Sequence, residues 1–282
     1  MRKYFYVIVT ALALAGCKSE PTRVSIIGAS IDTFEGYIPE EYRTYYPREG
    51  TVGTSVTSVE QTWWWKLIYE KMDNAVLDRN LSYSGSAIVN TTDWALERTN
   101  AKNRNPHWKG RHNGARFIEQ DGLGNPDIVF LHGGGNDYFH GDSYLYVGKD
   151  GRAYEYYEKN EMPYDFLNEA FAEADSCRTY EEVCALPDTT FCQAYIKLTR
   201  LIMAKHPQAK VVHFFSETMP NNMSNAIHII VDHYGQIYAD LRGSYTHCLR
   251  QDPSERRPNG LHPSEEGMQL IADELYEYVK GL

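Results

Sequence analysis

The sequence contains no basic cluster. Lys and Arg number 28 against 38 Asp and Glu, a formal charge of −10, and this balance excludes a nucleic-acid partner because phosphate neutralisation needs a concentrated basic face. Beyond its first residues the chain also lacks an apolar run of about 18 residues, so no further membrane-spanning helix is expected. Cysteines are scarce, five in 282 residues, and none has the Cys-x-x-Cys spacing of a structural zinc site. His228 and His233 stand five apart and would not share a helix face, which argues against a metal pair. No pattern calls for a cofactor, and no internal repeat is evident.

What is present begins with Arg2 and Lys3 ahead of an apolar run from Tyr4 to Ala15, too short to span a bilayer comfortably. The run ends in Leu14-Ala15-Gly16-Cys17, which resembles a bacterial lipobox. The resemblance implies cleavage before Cys17 and a lipid on its thiol. An ordinary secretory signal would equally export the chain. Residues 1–16 are therefore expected to be a signal peptide, 17–22 a lipid-anchored linker, and 23–282 a single domain. The expected location is the cell envelope, with the membrane contacted through Cys17. The other cysteines, Cys177, Cys184, Cys192 and Cys248, are even in number, which in an exported chain predicts disulfides with three pairings open.

Apolar periodicity organises the domain. Arg23–Ile27, Ile128–Leu131, Val211–Phe215 and Ile237–Leu241 read as strands, with a weaker one interrupted by small residues over Leu81–Ile88. Helical spacing is predicted over Gln61–Arg79, through Trp64, Leu67, Ile68, Met72, Ala75 and Val76, with Lys66, Glu70 and Lys71 outward. Further helices are expected around Thr92–Thr99, Phe191–His206, Asn225–Tyr234 and from Ser264 onward. Ile31–Thr62 reads as a long loop, which one or two indoles of Trp63-Trp64-Trp65 are expected to meet. Between about 138 and 190 lies a tyrosine-rich, cysteine-containing insertion. Within it Tyr144–Val147 and Ala153–Tyr156 flank Gly148-Lys149-Asp150-Gly151 as a β-hairpin. Its tyrosines could stack on sugar rings or simply cover the domain, and a disulfide is expected to stiffen the segment. Strands alternating with helices predict a parallel sheet.

Four stretches carry candidate chemistry. Gly28-Ala29-Ser30 follows the first strand and offers either a nucleophile or a turn serine. Gly85 offers a backbone N–H to a reaction centre, or a bulge. Gly133-Gly134-Gly135-Asn136-Asp137 follows a buried strand, the place where open α/β sheets present catalytic groups. Asn136 there is either an oxyanion donor or a turn residue. His262-Pro263 precedes the last helix, whose positive end favours the neutral imidazole that a general base requires.

In order and spacing these stretches, with Asn259-Gly260-Leu261-His262-Pro263 as the last, resemble the four blocks of the SGNH (GDSL-type) hydrolases. The resemblance covers essentially the whole mature chain. It implies an α/β fold, a flavodoxin-like three-layer α/β/α sandwich. It further implies Ser30 as nucleophile, His262 as base, and an oxyanion hole made of the Ser30 and Gly85 N–H groups and the Asn136 amide. His132-Gly133-Gly134-Gly135 also resembles the oxyanion motif of α/β-hydrolase lipases. Their Gly-x-Ser-x-Gly elbow must then follow, and none does.

Two positions depart from the family pattern. Ala29 stands where the family has Asp before the serine, which leaves the nucleophile and its backbone donor in place. Asn259 stands where the family's triad acid precedes the histidine by three. An amide can orient the imidazole but supplies no full charge, and in serine proteases the same Asp-to-Asn change in the triad costs about 10⁴ in kcat. A backbone carbonyl or Asp252, Glu265 or Glu266 could serve instead. The expectation is a serine esterase acting on O-acyl groups, most simply O-acetyl groups of a polysaccharide. A lysophospholipase or thioesterase, and a catalytically impaired glycan-binding protein, are the alternatives.

Overall fold

The first strand, β1 (Thr22–Ile27), is paired along both of its edges. The computed structural model describes residues 20–47, 56–90, 112–140, 145–147, 153–155, 164–188, 190–215, 221–241 and 262–282. β2 (Ala75–Asn80) and β3 (Ile128–His132) flank β1, with both pairings parallel. A hairpin of β4 (Leu145–Val147) and β5 (Ala153–Glu155) is antiparallel and separate. β6 (Lys210–Phe215) and β7 (Ile237–Asp240) complete a five-stranded, all-parallel sheet in the order β2-β1-β3-β6-β7.

Helices occupy both faces. α1 (Trp63–Trp65) runs directly into a π-helical turn at Lys66–Lys71. α2 (Asn113–Glu119), α3 (Gly135–His140), α4 (Tyr164–Ser176), α5 (Tyr180–Ala185), α6 (Phe191–Lys205), α7 (Asn221–His233) and α8 (Glu265–Val279) follow. Alternation along the strands sorts the core in two. Val24, Ile26, Phe130, Val212 and Phe214 pack with Trp63, Trp64, Met268, Ile271 and Leu275 on one side. Ile27, Val129, Leu131 and Val211 pack with Phe171, Leu198, Ile202 and Ile227 on the other. A parallel sheet covered on both faces is why these strands read as near-continuous apolar runs. The fold is thus the α/β/α sandwich that the resemblance implied.

Four expectations are corrected. The Gln61–Arg79 helix ends at Lys71, and Ala75–Asn80 is instead the edge strand β2. Met72 is extended, at φ −82° and ψ 133°, which ends the helix, and Asn74 at φ +51° turns the chain into β2, which gains ladder hydrogen bonds along β1; the helical spacing of Ala75 and Val76 was coincidental. Lys66, expected outward, is only 9% exposed and lies 3.8 Å from Glu265. Leu81–Ile88 is not a strand but an irregular loop following β2. Among the described residues no disulfide links Cys177, Cys184 and Cys192. The 164–188 part of the insertion consists mainly of α4 and α5, which pack on α6 through Leu167, Ala170, Phe171, Ala174 and Val183. The signal segment, Cys17, Cys248, Asn259, Asp252 and the expected Thr92–Thr99 helix lie outside the described residues.

Candidate active site

The sheet order reverses direction between β1 and β3, so a crevice opens beyond the carboxyl ends of these two strands. The segments that leave them are Gly28–Ser30 and Gly133–Asn136. Past β1 the chain turns at once into a 3₁₀ turn, Ser30–Asp32, with Ala29 extended before it. The Asp32 carboxylate reaches back to accept the Ala29 N–H at 2.7 Å, which closes the turn. It also accepts the Trp63 indole N–H at 2.9 Å and lies 2.8 Å from His132 Nδ1. The Asp32 carbonyl takes the Trp64 indole and the Asn80 amide at 3.1 and 2.8 Å. Two of the three tryptophans thus meet the loop after β1. Gly28 is required by this packing, since a Cβ there would fall 2.1 Å from Asp32 Oδ2.

His262 arrives from the other end of the chain. Ser264 caps α8, its Oγ accepting the Gly267 N–H, and the preceding Pro263 carbonyl accepts the Tyr46 hydroxyl at 3.2 Å. Held there, His262 Nε2 lies 2.8 Å from Ser30 Oγ across 232 residues of sequence. One face of its ring is stacked on Tyr45, with centroids 3.6 Å apart and planes 7° from parallel. Tyr46 presents its edge at 6.4 Å.

The opposite wall is the loop after β2. Ser86 N–H bonds the Tyr83 carbonyl at 3.0 Å, making a turn whose third residue, Gly85, has φ +89°. A positive φ at that position favours glycine. Asn136, in the first turn of α3, donates its amide to the Ser86 carbonyl at 2.8 Å. Asp137 accepts the Ile88 and Val89 N–H groups. These contacts tie Gly85 to the turn after β3. Among the described residues, neither the Ser30 nor the Gly85 N–H meets a protein acceptor. Arg116, fully buried in α2, donates to the carbonyls of Leu81 and Gly28 at 2.8 and 2.9 Å and so fixes both loops at once.

Burial sets the charges of this wall and the sheet behind it. It raises the Asp137 carboxyl from 3.8 to about 6, against the pull of its backbone donors. It lowers His213 on β6 from 6.5 to about 3, so the ring that meets the Tyr195 hydroxyl at 3.1 Å is neutral. At Asp188 burial acts upward, but hydrogen bonds from His112 and Lys197 and their charges outweigh it and hold the carboxyl well below its ordinary range.

The structure therefore brings Ser30, His262, Gly85 and Asn136 to one crevice. Asn259 and Asp252 lie outside the described residues, and Glu265 accepts the Gln61 side-chain amide at 2.9 Å and lies 3.8 Å from Lys66 Nζ. Sequence reasoning missed Asp32, His132, Arg116 and Asp137 as organising residues. For Asp32 a signal existed, an acid two positions beyond the serine where a short turn could close on it. Arg116, in a polar stretch without marked periodicity, offered none.

Residues 22–161 match the family model described as GDSL-like lipase/acylhydrolase. Among solved structures, a GDSL-like lipase of Bacteroides ovatus superposes with a TM-score of 0.62 at 25% identity, covering 93% of this chain and 100% of its own. One from Bacteroides uniformis gives 0.61 at 23%, covering 93% and 97%. A family two carbohydrate esterase from Clostridium thermocellum shares the fold at a TM-score of 0.50 and 13% identity, covering 93% of this chain and 64% of that one. No match is found among curated proteins. With the blocks on β1 and β3 inside the matched segment and the fold shared over 93% of the chain, the chain belongs to the SGNH, or GDSL-type, family of ester hydrolases.

Proposed function

We propose that this protein is an exported serine esterase, anchored to the cell-envelope membrane by a lipid on Cys17, that removes acyl groups, and specifically acetyl groups, from a polysaccharide. The observation that carries the reading is the 2.8 Å approach of Ser30 Oγ to His262 Nε2 beside two unengaged backbone donors. Ser30 Oγ bonds to the ester carbonyl carbon while its proton passes to His262 Nε2. The negative oxygen of the tetrahedral intermediate is met by the Ser30 and Gly85 N–H groups and by the second amide hydrogen of Asn136, the first being held by Ser86. As the bond to the sugar oxygen breaks, the imidazolium returns its proton to that oxygen. Water then repeats the sequence on the acyl-enzyme, releasing acetate and restoring Ser30.

The carbohydrate step draws support from the tyrosine-rich insertion, suited to sugar rings, and from the carbohydrate esterase that shares this fold. The test is labelling by a fluorophosphonate together with hydrolysis of aryl esters of increasing chain length and acetate release from acetylated xylan. Wild type is expected to label and to favour acetyl esters, and Ser30→Ala to do neither. A preference for long acyl chains would overturn the deacetylase reading in favour of a lysophospholipase or thioesterase. A wild-type protein that neither labels nor hydrolyses would leave a glycan-binding role.

A further inference from the structure

The imidazole of His262 is mounted on a ring of contacts that returns to the nucleophile. Thr33 Oγ1 donates to the Ser30 carbonyl at 2.8 Å and accepts the Tyr45 N–H at 2.8 Å. The Tyr45 side chain then stacks on the imidazole at 3.6 Å, the two ring planes nearly parallel, and the imidazole meets Ser30 Oγ. Four residues, Ser30, Thr33, Tyr45 and His262, therefore close on themselves, so displacing any one displaces the others. The same backbone carries Tyr46, which is buried and bonds the Pro263 carbonyl next to His262.

We infer that Tyr45 is a positioning residue for the esterase reaction: its ring fixes the plane of the His262 imidazole against Ser30, and its π face supports the imidazolium that forms during acyl transfer. An aromatic face is negative at its centre and attracts a cation lying against it, the more so where water is displaced. The neutral imidazole gains less from that face than the imidazolium does, so the contact favours the transition state over the ground state. This matters in a chain whose residue three before His262 is the amide Asn259 rather than a carboxylate. The inference rests on the proposed Ser30–His262 chemistry.

The experiment measures aryl acetate hydrolysis by wild type, Tyr45→Leu, Tyr45→Phe and His262→Ala. Tyr45→Leu keeps bulk but loses the π face and is expected to lower kcat and kcat/KM together by about 3- to 30-fold, with KM within about twofold. Tyr45→Phe keeps the face and is expected to restore at least half of the wild-type rate. A Tyr45→Leu enzyme with wild-type kcat, beside an inactive His262→Ala, would overturn the inference and leave the esterase reading standing. An active His262→Ala would remove both. A second measurement does not depend on the variants at Tyr45 folding. The imidazole C–H protons of His262, identified by their loss in His262→Ala, are expected upfield of free histidine because a stacked ring shields them. Unshifted protons would overturn the stacking itself.

Discussion

His132 Nδ1 lies 2.8 and 2.9 Å from the two carboxylate oxygens of Asp32, a pair in which the carboxylate is fully buried. This contact joins the end of β3 to the turn that carries Ser30, so both strands at the point where the sheet reverses share one anchor. Because the same carboxylate holds the Ala29 N–H and the Trp63 indole, its removal strands three groups at once. Asp32→Ala is expected to destabilise the fold by about 3–5 kcal/mol, since each buried group left without its partner costs about 1–3 kcal/mol. Asp32→Asn, which keeps one acceptor oxygen, should cost less. Urea denaturation measures both, and a loss below about 1 kcal/mol for Asp32→Ala would contradict the anchoring role.

Gly28 makes a linked prediction. An alanine Cβ would stand 2.1 Å from Asp32 Oδ2, and that oxygen is held by the Ala29 N–H and His132 Nδ1 and cannot swing away. Gly28→Ala is expected to cost about 1–3 kcal/mol by overpacking and to slow fluorophosphonate labelling of Ser30. The two sites are in contact, so the double variant Gly28→Ala/Asp32→Ala should be more stable than additivity predicts. Strict additivity in denaturation midpoints would show that the clash is not with Asp32.

Asn136 carries two separable consequences. Loss of an oxyanion donor is expected to reduce kcat by about 10²–10³ in Asn136→Ala. Loss of the bond to the Ser86 carbonyl should cost only about 1 kcal/mol of stability. Steady-state kinetics beside thermal melting distinguishes them. A rate within tenfold of wild type would mean that Asn136 braces the Gly85 loop without meeting the oxyanion.

Two buried groups make stability depend on pH in opposite senses. Burial raises Asp137 to about 6, so its contribution is fully present below 3.8 and is lost as pH rises through 6. Burial lowers His213 to about 3, so its contribution is present above 6.5 and is lost as pH falls toward 3. Between about pH 6 and 4 the two slopes oppose, each about 1.4 kcal/mol per pH unit. On going from about pH 7 to 4.5, Asp137→Asn is expected to fall relative to wild type by on the order of 2 kcal/mol. His213→Leu should rise relative to wild type by a similar amount. Urea titrations at the two pH values check this, and a pH-independent difference for either variant would refute the assignment for that residue.

Much of the sheet was legible because its strands are buried on both sides and so read as apolar runs. The strands β1, β3, β6 and β7 and the helices α6, α7 and α8 stand close to where periodicity put them. The edge strand β2 was not legible: Ala75-Val76-Leu77-Asp78-Arg79-Asn80 is mostly half-exposed, and its apolar positions happen to extend the helical spacing of the preceding turn. Only pairing with β1 distinguishes the two, and that is a contact with a strand far back in the sequence. The helices of the insertion were hidden for a related reason, since α4 and α5 are defined by the surface of α6 that they cover.

The sequence by itself determined the parallel α/β order, the candidate serine, asparagine and histidine blocks and their chain order, because local periodicity and turn chemistry write these into short stretches. Tertiary structure alone decided what stands around them. Asp32 serves His132 and the nucleophile turn, Arg116 ties the loops after β1 and β2, and Tyr45 faces His262. Each of those relationships is a distance between residues far apart in the chain, fixed by how the strand ends converge at the crevice, and no local pattern encodes a distance of that kind.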